Sequence, residues 1–504
     1  MNAQSSNSTT WFTWPTRFAW WVILLTSFAI VAATMGAKNL YFRGDYEIFF
    51  DGQNEQLLAF DEIQTTFAKS DNISIVIAPQ DQTIFTKTNL TLIQQLTIDA
   101  WQIPYSSRVD SLSNYQHTEA LQDDLIVEDL LYEDYPLTAE RIQRAEKIAL
   151  NEPALVHSMI SQNGDVSVIN VTIQMPEIDK TAESIEVMAY VDALIAKYQQ
   201  LYPDVQFYKA GVVALNNAFM VAAQQDSTTL VPTMFGVILL FLVLMLRSIS
   251  SVVATLIIII ASVTTTLGLT GWAGMFLSTA TVNIPTLVMT LAVADCVHVI
   301  ATMRQRMQKG DSKVDAITHS VEINALPIFI TSITTAIGFM MMNMSDSPVL
   351  RDFGNEAALG VMIACLLSVT LLPALLKVLP IRIKPLANAE QTESGVMVSL
   401  ANLVVKHQTK LLPISVAVIA LAAAAVPLNK VNDDSVRYFD TTSEFRQAAD
   451  FMEQRISGMT NISIAIKTGE SQGIAAPDFI ATLGDFTDWF SGQPEPDPVA
   501  PVAA

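Results

Sequence analysis

Residues 283–303 read NIPTLVMTLAVADCVHVIATM, an apolar run long enough to cross a bilayer as one helix. Near its middle stand Asp295 and, three residues later, His298. A carboxylate at this depth costs about 3 kcal/mol on insertion scales, so it ordinarily faces a bundle interior or a water-filled path. Because positions i and i+3 share a helix face and both groups exchange protons, we predict a proton relay at Asp295 and His298. The alternative is that both are satisfied interior groups that only help to hold the bundle together.

The composition is typical of a polytopic membrane protein with one acidic soluble part. Hydrophobic residues make up 51% of the chain, charged residues only 15%, and the mean hydropathy is +0.37. The net charge of −21 is concentrated in residues 38–226, which contain 28 acidic and 11 basic side chains. An acidic domain is a poor partner for nucleic acid, so no nucleic-acid binding is expected. Cys296 and Cys365 both lie in apolar runs and predict neither a disulfide framework nor a zinc site.

Seven apolar runs predict membrane-spanning helices, at residues 18–37, 229–246, 252–272, 283–303, 326–344, 357–376 and 411–428. Basic residues cluster directly after residue 303 and between residues 377 and 410, so the positive-inside rule places both loops in the cytoplasm. The predicted parts are a cytoplasmic tail (1–17), a first span (18–37), a periplasmic domain (38–228), a helix cluster of spans two to six (229–376), a cytoplasmic linker (377–410), a seventh span (411–428) and a second, incomplete periplasmic domain (429–504).

The domain at residues 38–228 shows two β-α-β patterns in succession. Strands are predicted at residues 72–79, 108–114, 165–175 and 206–210, with helices at 87–101 and 181–201. This order predicts a ferredoxin-like α+β fold. A polar, acidic insertion at residues 116–160 separates the two patterns and is predicted to be helical around residues 138–150.

An internal repeat is visible without gaps. Residues 45–81 align with residues 434–470 at an offset of 389, so that the NISI of residues 72–75 meets the NISI of residues 461–464. Each copy follows one predicted span, which indicates that span 411–428 repeats span 18–37. The second copy continues for only about 40 residues after its NISI, against about 150 in the first. We therefore expect a truncated chain, and a short natural variant is the alternative.

Three stretches resemble the RND (resistance-nodulation-division) superfamily, in particular its MMPL-type predicted exporters. LAVADCVHVI (residues 291–300) is similar to the fourth-helix motif, in which an apolar run leads into an acidic residue. LPIFITSITTAIGFMMMNMSDSPVLRDFG (326–354) is similar to the fifth helix and the loop after it, and GVMIACLLSVTLLPALL (360–376) to the sixth helix. The likeness spans nearly the whole chain. Sterol-sensing domains share this six-helix group, so the motifs indicate the fold more firmly than the substrate.

The resemblance implies an exporter of lipidic or amphipathic substrates, driven by the proton motive force across the cell inner membrane, with Asp295 in the position of the acidic relay residue. Leu291 stands where a glycine is common, and Cys296 where a second acid often follows. The fifth-helix hydroxyls would support the relay by solvating Asp295 or a passing proton, unless they bond only their own helix carbonyls; they are Thr331, Ser332, Thr334 and Thr335. We expect Gly338 to be a close-packing site, and Pro285, Pro327 and Pro373 to mark helix ends or kinks.

The remaining sequence features limit the chemistry. No Walker motif is present, so the expected energy source is the proton gradient, with no cofactor. His117, His157 and the acids near them have no metal-ligand spacing, and no nucleophile–base pair predicts an enzyme. The expected partners are membrane lipids, a hydrophobic small-molecule or lipid substrate, and a second copy in a homo-oligomer. A non-pumping lipid- or sterol-sensing or scaffolding module of the same fold is the alternative function.

Overall fold

The structure is a computed structural model, and it describes residues 9–66, 71–80, 83–121, 124–131, 135–176, 178–381, 395–429, 434–457, 464–469 and 473–491. Within these ranges, seven helical segments are long and apolar enough to cross a membrane, and each overlaps one of the seven predicted spans. A small α+β domain lies at one end of the helix cluster, which we call the domain-side end. We call the opposite end, where Arg17, Arg306 and Lys377 lie, the basic end. The predicted fold class, a polytopic helical protein with an α+β domain, is confirmed.

The helices and strands are, in chain order, α1 (Thr9–Arg17), α2 (Ala19–Thr34), α3 (Glu55–Thr66), β1 (Asn72–Pro79), α4 (Lys87–Ala100), β2 (Ser106–Asp110), β3 (Gln116–Leu121), β4 (Asp124–Asp129), α5 (Ala139–Ala149), β5 (Ser167–Ile173), α6 (Lys180–Leu201), β6 (Val205–Ala210), α7 (Val212–Gln225), α8 (Val231–Leu246), α9 (Ile249–Trp272), α10 (Ile284–Gln308), α11 (Lys313–Met340), α12 (Pro348–Val378), α13 (Gly395–Ala424), α14 (Glu444–Arg455) and α15 (Pro477–Ser491). Short 3-10 turns at Met35–Asn39, Tyr46–Phe49 and Ser435–Tyr438 link some of them.

Several membrane helices extend beyond the predicted spans. At about 1.5 Å per residue, α12 is about 46 Å long, well beyond the roughly 30 Å of a hydrocarbon core. The predicted spans stop at the first charged residues, whereas helical hydrogen bonding continues through them. In the predicted linker at residues 377–410, α13 already begins at Gly395, and it bends at His407, where φ is −111° and ψ is 15°.

Glycines bring α2 and its following turn into direct backbone contact with α9. A Cβ built on Gly268 would lie 2.2 Å from the Ala33 carbonyl oxygen, and one on Gly36 would lie 2.1 Å from the Gly268 carbonyl oxygen. A Cβ on Gly338 would meet nothing within 4 Å, so the close-packing role expected for Gly338 is wrong. Close packing inside the cluster occurs instead at Gly360 of α12, which lies against Val288 of α10.

The α+β domain contains a four-stranded sheet in the order β2-β5-β1-β6, with every neighbouring pair antiparallel. This arrangement agrees with the ferredoxin-like fold predicted from the two β-α-β patterns. Ile73, Ile75 and Ile77 of β1 point into the main core of the domain, and all three are fully buried. In the acidic insertion, the helix predicted around residues 138–150 is present as α5, and before it β3 and β4 form a separate two-stranded hairpin that was not predicted.

The second copy of the repeat has the same local structure as the first. The 3-10 turns Tyr46–Phe49 and Ser435–Tyr438 correspond at the offset of 389, and the 12-residue helices α3 and α14 correspond at the same offset. Of the second NISI segment, residues 461–463 lie outside the described residues, and the described residues 464–469 form no strand. The sequence repeat is therefore also a structural repeat in two elements, the 3-10 turn and the 12-residue helix.

The two copies pack differently. Within the described part of the chain, α3 has no buried residue, whereas α14 buries its apolar face on the sheet of the first domain. Met452 and Ile456 join Val76, Val168 and Ala210 in a second apolar cluster on the sheet face opposite the main core. Further contacts are the ring of Phe451 stacked on Tyr208 at 4.4 Å, an ion pair of Arg455 with Asp165 at 3.0 Å, and a hydrogen bond between His157 Nδ1 and the Ile456 carbonyl oxygen at 2.9 Å.

We expect Met452→Ala to lower the free energy of unfolding by about 2 kcal/mol, because it removes buried apolar contact and leaves a cavity between α14 and the sheet. Chemical denaturation of the full chain, followed by the fluorescence of a dye that binds exposed apolar surface, measures this change. Met344→Ala is the matched control, since Met344 is 79% exposed and its loss is expected to cost less than about 0.5 kcal/mol. Equal effects of the two substitutions would contradict the packing described for α14.

Candidate proton-relay site

Asp295 and His298 line one cavity of about 240 Å³ between α10 and α11. Asp295 lies 11 residues after the start of α10, which is about 16 Å along the helix axis and close to its middle. The spacing of three residues places the two side chains on the same face, as predicted. Asp295 is half-buried and His298 is exposed, so the cavity opens on the outer surface of the helix cluster.

The opposite wall of the cavity comes from α11 and is polar. Thr331, Ser332 and Thr335 line it, as the sequence predicts, whereas Thr334 is exposed and lies outside the lining. The three threonine hydroxyls donate to carbonyl oxygens of their own helix; the Thr331 hydroxyl bonds the Pro327 carbonyl oxygen at 3.0 Å. Because each hydroxyl hydrogen is already donated, only the oxygen lone pairs can still accept a hydrogen bond, from a donor inside the cavity.

The Asp295 carboxylate receives no hydrogen bond or ion pair from any residue that the structure describes. Cys296, the next residue, points away from the cavity and is fully buried. An unpartnered carboxylate beside an open cavity that also contains hydroxyl groups can gain and lose a proton without first breaking a protein contact. Among the described residues there is no hydrogen bond through which Asp295 would hold helices together, and its role in proton transfer stays a prediction.

Two polar residues of the cluster were missed by the sequence interpretation. Asn324 lines the cavity, and its amide donates to the Thr302 hydroxyl at 3.0 Å, which links α11 to α10. Glu356 lies on α12 and is 1% exposed. Asn324 stands two residues before the predicted span that begins at residue 326, and Glu356 stands one residue before the predicted span that begins at residue 357. Both were therefore left outside the predicted spans. Their helices in fact begin earlier, at Lys313 and Pro348.

The three prolines have distinct positions. Pro285 stands in the first turn of α10, so it marks a helix end as predicted. Pro327 lies inside α11 and lines the cavity, and Pro373 lies inside α12 and is buried. Neither is a helix end. A proline inside a helix leaves one carbonyl oxygen without its usual donor.

The domain-side end of the cluster is joined to the α+β domain by direct contacts. Arg351 of α12 forms an ion pair with Asp51 at 2.5 Å, and the hydrogen bond from Arg351 lowers the pKa of the Asp51 carboxyl below its usual value. The Arg43 amide donates to the Leu277 carbonyl oxygen at 2.8 Å. These two contacts connect the domain-side end of the cluster to the segment that leads into the domain. At the basic end, Arg17, Arg306 and Lys377 line one pocket, which agrees with the prediction that their segments share one side of the membrane.

Metal binding finds no support in the part of the chain that the structure describes, where no three His, Cys, Asp or Glu side chains converge. A sequence model of the MMPL family matches residues 51–424.

Two curated relatives, each named only as a membrane protein, are similar over shorter stretches. The one from Streptomyces coelicolor is 23% identical over 188 residues, which are 37% of this chain and 27% of that protein. The one from Methanocaldococcus jannaschii is 28% identical over 125 residues, which are 25% of this chain and 32% of that protein. The chain thus matches less than one third of the length of each. Because the family match covers the domain, the helix cluster and the start of the repeat, the chain belongs to the MMPL family.

Proposed function

We propose that the protein exports lipidic or amphipathic substrates from the inner membrane, driven by the proton motive force. Membership of the MMPL family supports a transporter-like role in a membrane. The observation that favours proton coupling is the cavity in which an unpartnered Asp295 and His298 face the hydroxyls of α11. One charge that crosses about 100 mV releases about 2.3 kcal/mol, which is the energy source in this proposal.

In the proposed cycle, the Asp295 carboxylate takes a proton that enters from the domain side and becomes a neutral carboxylic acid. The acid form is compatible with an apolar surrounding, so α10 and α11 repack around it. The proton then leaves toward the basic end, and His298, one turn nearer that end, is the group placed to receive it. Because α12 packs against both α10 and α11, this repacking would shift α12, and the ion pair of Arg351 with Asp51 would pass the shift to the α+β domain, which we place in the periplasm.

A half-buried carboxylate that faces hydrocarbon is costly, so the open side of the cavity requires a cover in the working protein. We propose that the helix cluster of a second copy of the chain provides it in a homo-oligomer. The apolar residues on the outer surface of α11 support this arrangement, since Leu326, Phe329 and Ile330 are each at least half exposed beside the cavity. Membrane lipids would cover the remaining apolar surface.

Reconstitution into proteoliposomes tests the proposal. A pH gradient is imposed, and the transfer of a fluorescent amphipathic lipid analogue without a titratable group is followed across the membrane together with the internal pH. We expect transfer that depends on the gradient and stops when a protonophore collapses it. Transfer that is equally fast with and without the gradient would refute proton coupling.

A lipid-binding module that does not pump is a second candidate, because the cavity opens on the surface of the cluster, where a lipid chain has direct access. This candidate predicts that the lipid analogue without a titratable group binds with the same affinity before and after the protonophore is added. It also predicts that the internal pH does not change when the analogue is added.

A further inference from the structure

Glu356 is a buried carboxyl that the proposed relay does not use. It lies on α12 and is 1% exposed. Gly360, four residues later on the same face, lies against Val288 of α10 and Thr266 of α9. Glu356 therefore points into the interior formed by α9, α10 and α12, one turn nearer the domain-side end than Gly360.

Neither carboxyl oxygen of Glu356 has a hydrogen-bond partner among the described residues. The sequence of α9 contains no ionisable side chain, and the domain-side turns of α10 and α11 contain none. The charged group that acts on Glu356 is Asp352, half-buried and one turn nearer the domain. Other titratable groups at this end of the cluster are Lys38, Tyr41, Arg43, Asp45, Tyr46, Glu47, Asp51, Asp346 and Arg351. Arg43 is paired with Asp45, and Arg351 with Asp51.

This environment determines which form of the carboxyl is stable. A buried, unpaired carboxylate without a cation is very costly, and the negative charge of Asp352 increases that cost. The neutral carboxylic acid avoids the charge and loses only its hydrogen bonds. Glu356 is thus stable when it holds a proton, and Asp352 lies between it and the water at the domain-side end.

Glu356 and Asp295 lie at different depths of the same cluster. Gly360 of α12 lies beside Val288 of α10, and the two helices run in the same direction. Glu356 comes four residues before Gly360, and Asp295 comes seven residues after Val288. At about 1.5 Å per residue, Glu356 is therefore about 16 Å nearer the domain-side end than Asp295. Three buried side chains with hydroxyls, one turn apart on α9, lie between the two depths; they are Thr270, Thr266 and Ser262. The Ser262 hydroxyl has no partner among the residues that the structure describes.

We propose that Glu356 is a second proton-binding site of the helix cluster, loaded from the domain-side water past Asp352. That Glu356 binds a proton does not depend on transport. Its place before Asp295 on one proton path rests on the proposed function.

Dicyclohexylcarbodiimide tests the site, since it modifies protonated carboxyls in apolar surroundings. The full chain in lipid nanodiscs is treated at pH 6 to 9, and the modified residues are identified by mass spectrometry. We expect Glu356 to be modified at least tenfold more than the exposed Asp346, with the yield falling as the pH rises. Glu356→Gln should remove this adduct alone, and Asp295→Asn should leave it unchanged. The absence of an adduct at Glu356 across this pH range would overturn the proposal.

Three further measurements test the proton site against a sodium site, against a structural role of an ionised carboxylate, and for a proton path shared with Asp295. Sodium chloride is added before the reagent; protection of Glu356 would identify a sodium site and contradict the proton site.

The melting temperature of Glu356→Gln at pH 8 is compared with that of the unchanged chain, and we expect it to be equal or higher, because the neutral amide replaces a group that favours its neutral form. A lower melting temperature would show that an ionised carboxylate has a structural role. Loss of proton flux in Glu356→Gln with the adduct intact in the unchanged chain would support the shared path, whereas full flux would limit the proposal to binding.

Discussion

Asp295→Asn is expected to reduce proton-coupled flux to the level of protein-free vesicles. The amide has nearly the shape of the carboxyl but cannot take up and release a proton, so the mid-membrane step of the path is lost. Because no described residue bonds Asp295, the substitution breaks no contact, and folding should be unaffected. Internal pH in proteoliposomes gives the flux, and thermal unfolding in the same lipid gives the stability.

The matched control for this substitution is Asp346→Asn, which makes the same chemical change at an exposed loop position between α11 and α12. It should leave flux and melting temperature unchanged. Wild-type flux in Asp295→Asn would refute the relay, whatever the result for Asp346. A drop in melting temperature of Asp295→Asn alone would instead indicate that the carboxyl stabilises the bundle.

Gly268→Leu is expected to prevent α2 from docking on α9. The new Cβ would lie 2.2 Å from the Ala33 carbonyl oxygen, which is backbone and cannot rotate away, so the two helices must separate. Overpacking of this kind costs about 3 kcal/mol or more, and the separation also breaks the hydrogen bond from Trp272 Nε1 to the Ala32 carbonyl oxygen. We expect a large loss of monodisperse protein in size-exclusion chromatography and a lower melting temperature in the remainder.

Gly338→Leu is the control, since this glycine has no neighbour within 4 Å and its side chain would extend into open space. We expect its stability to stay within about 0.5 kcal/mol of the unchanged chain. If both substitutions were tolerated equally, the close approach of α2 and α9 would be wrong.

Periodicity and hydropathy predicted the parts of this fold that depend on long apolar runs. The seven spans, the two β-α-β patterns, and the turn and helix of the repeat at the offset of 389 residues appear in the structure, because burying apolar runs dominates the folding free energy. The grouping of Asp295 with His298 followed from helix geometry alone. The roles of these residues in proton transfer stay predictions.

Other features were not visible from the sequence. A glycine's neighbours depend on how helices cross, so Gly338 and Gly268 cannot be told apart without the packing. Glu356 stands at the boundary of a hydropathy window, where a charged residue ordinarily marks a loop; only the length of α12 shows that it is interior. The β3–β4 hairpin was missed because its exposed strands have a polar sequence with little apolar alternation.

The position of α14 has a consequence for how the nascent chain matures. The last strand of the sheet ends at Ala210, but the helix that covers its second face begins at Glu444, more than 230 residues later. At ordinary rates of translation the ribosome needs roughly 10 to 50 s for that interval. During this time an apolar strip on the sheet stays uncovered in the compartment that receives the domain, where chaperones and proteases meet it first. Slowing elongation between the two segments should therefore increase degradation of a chain whose sequence is unchanged.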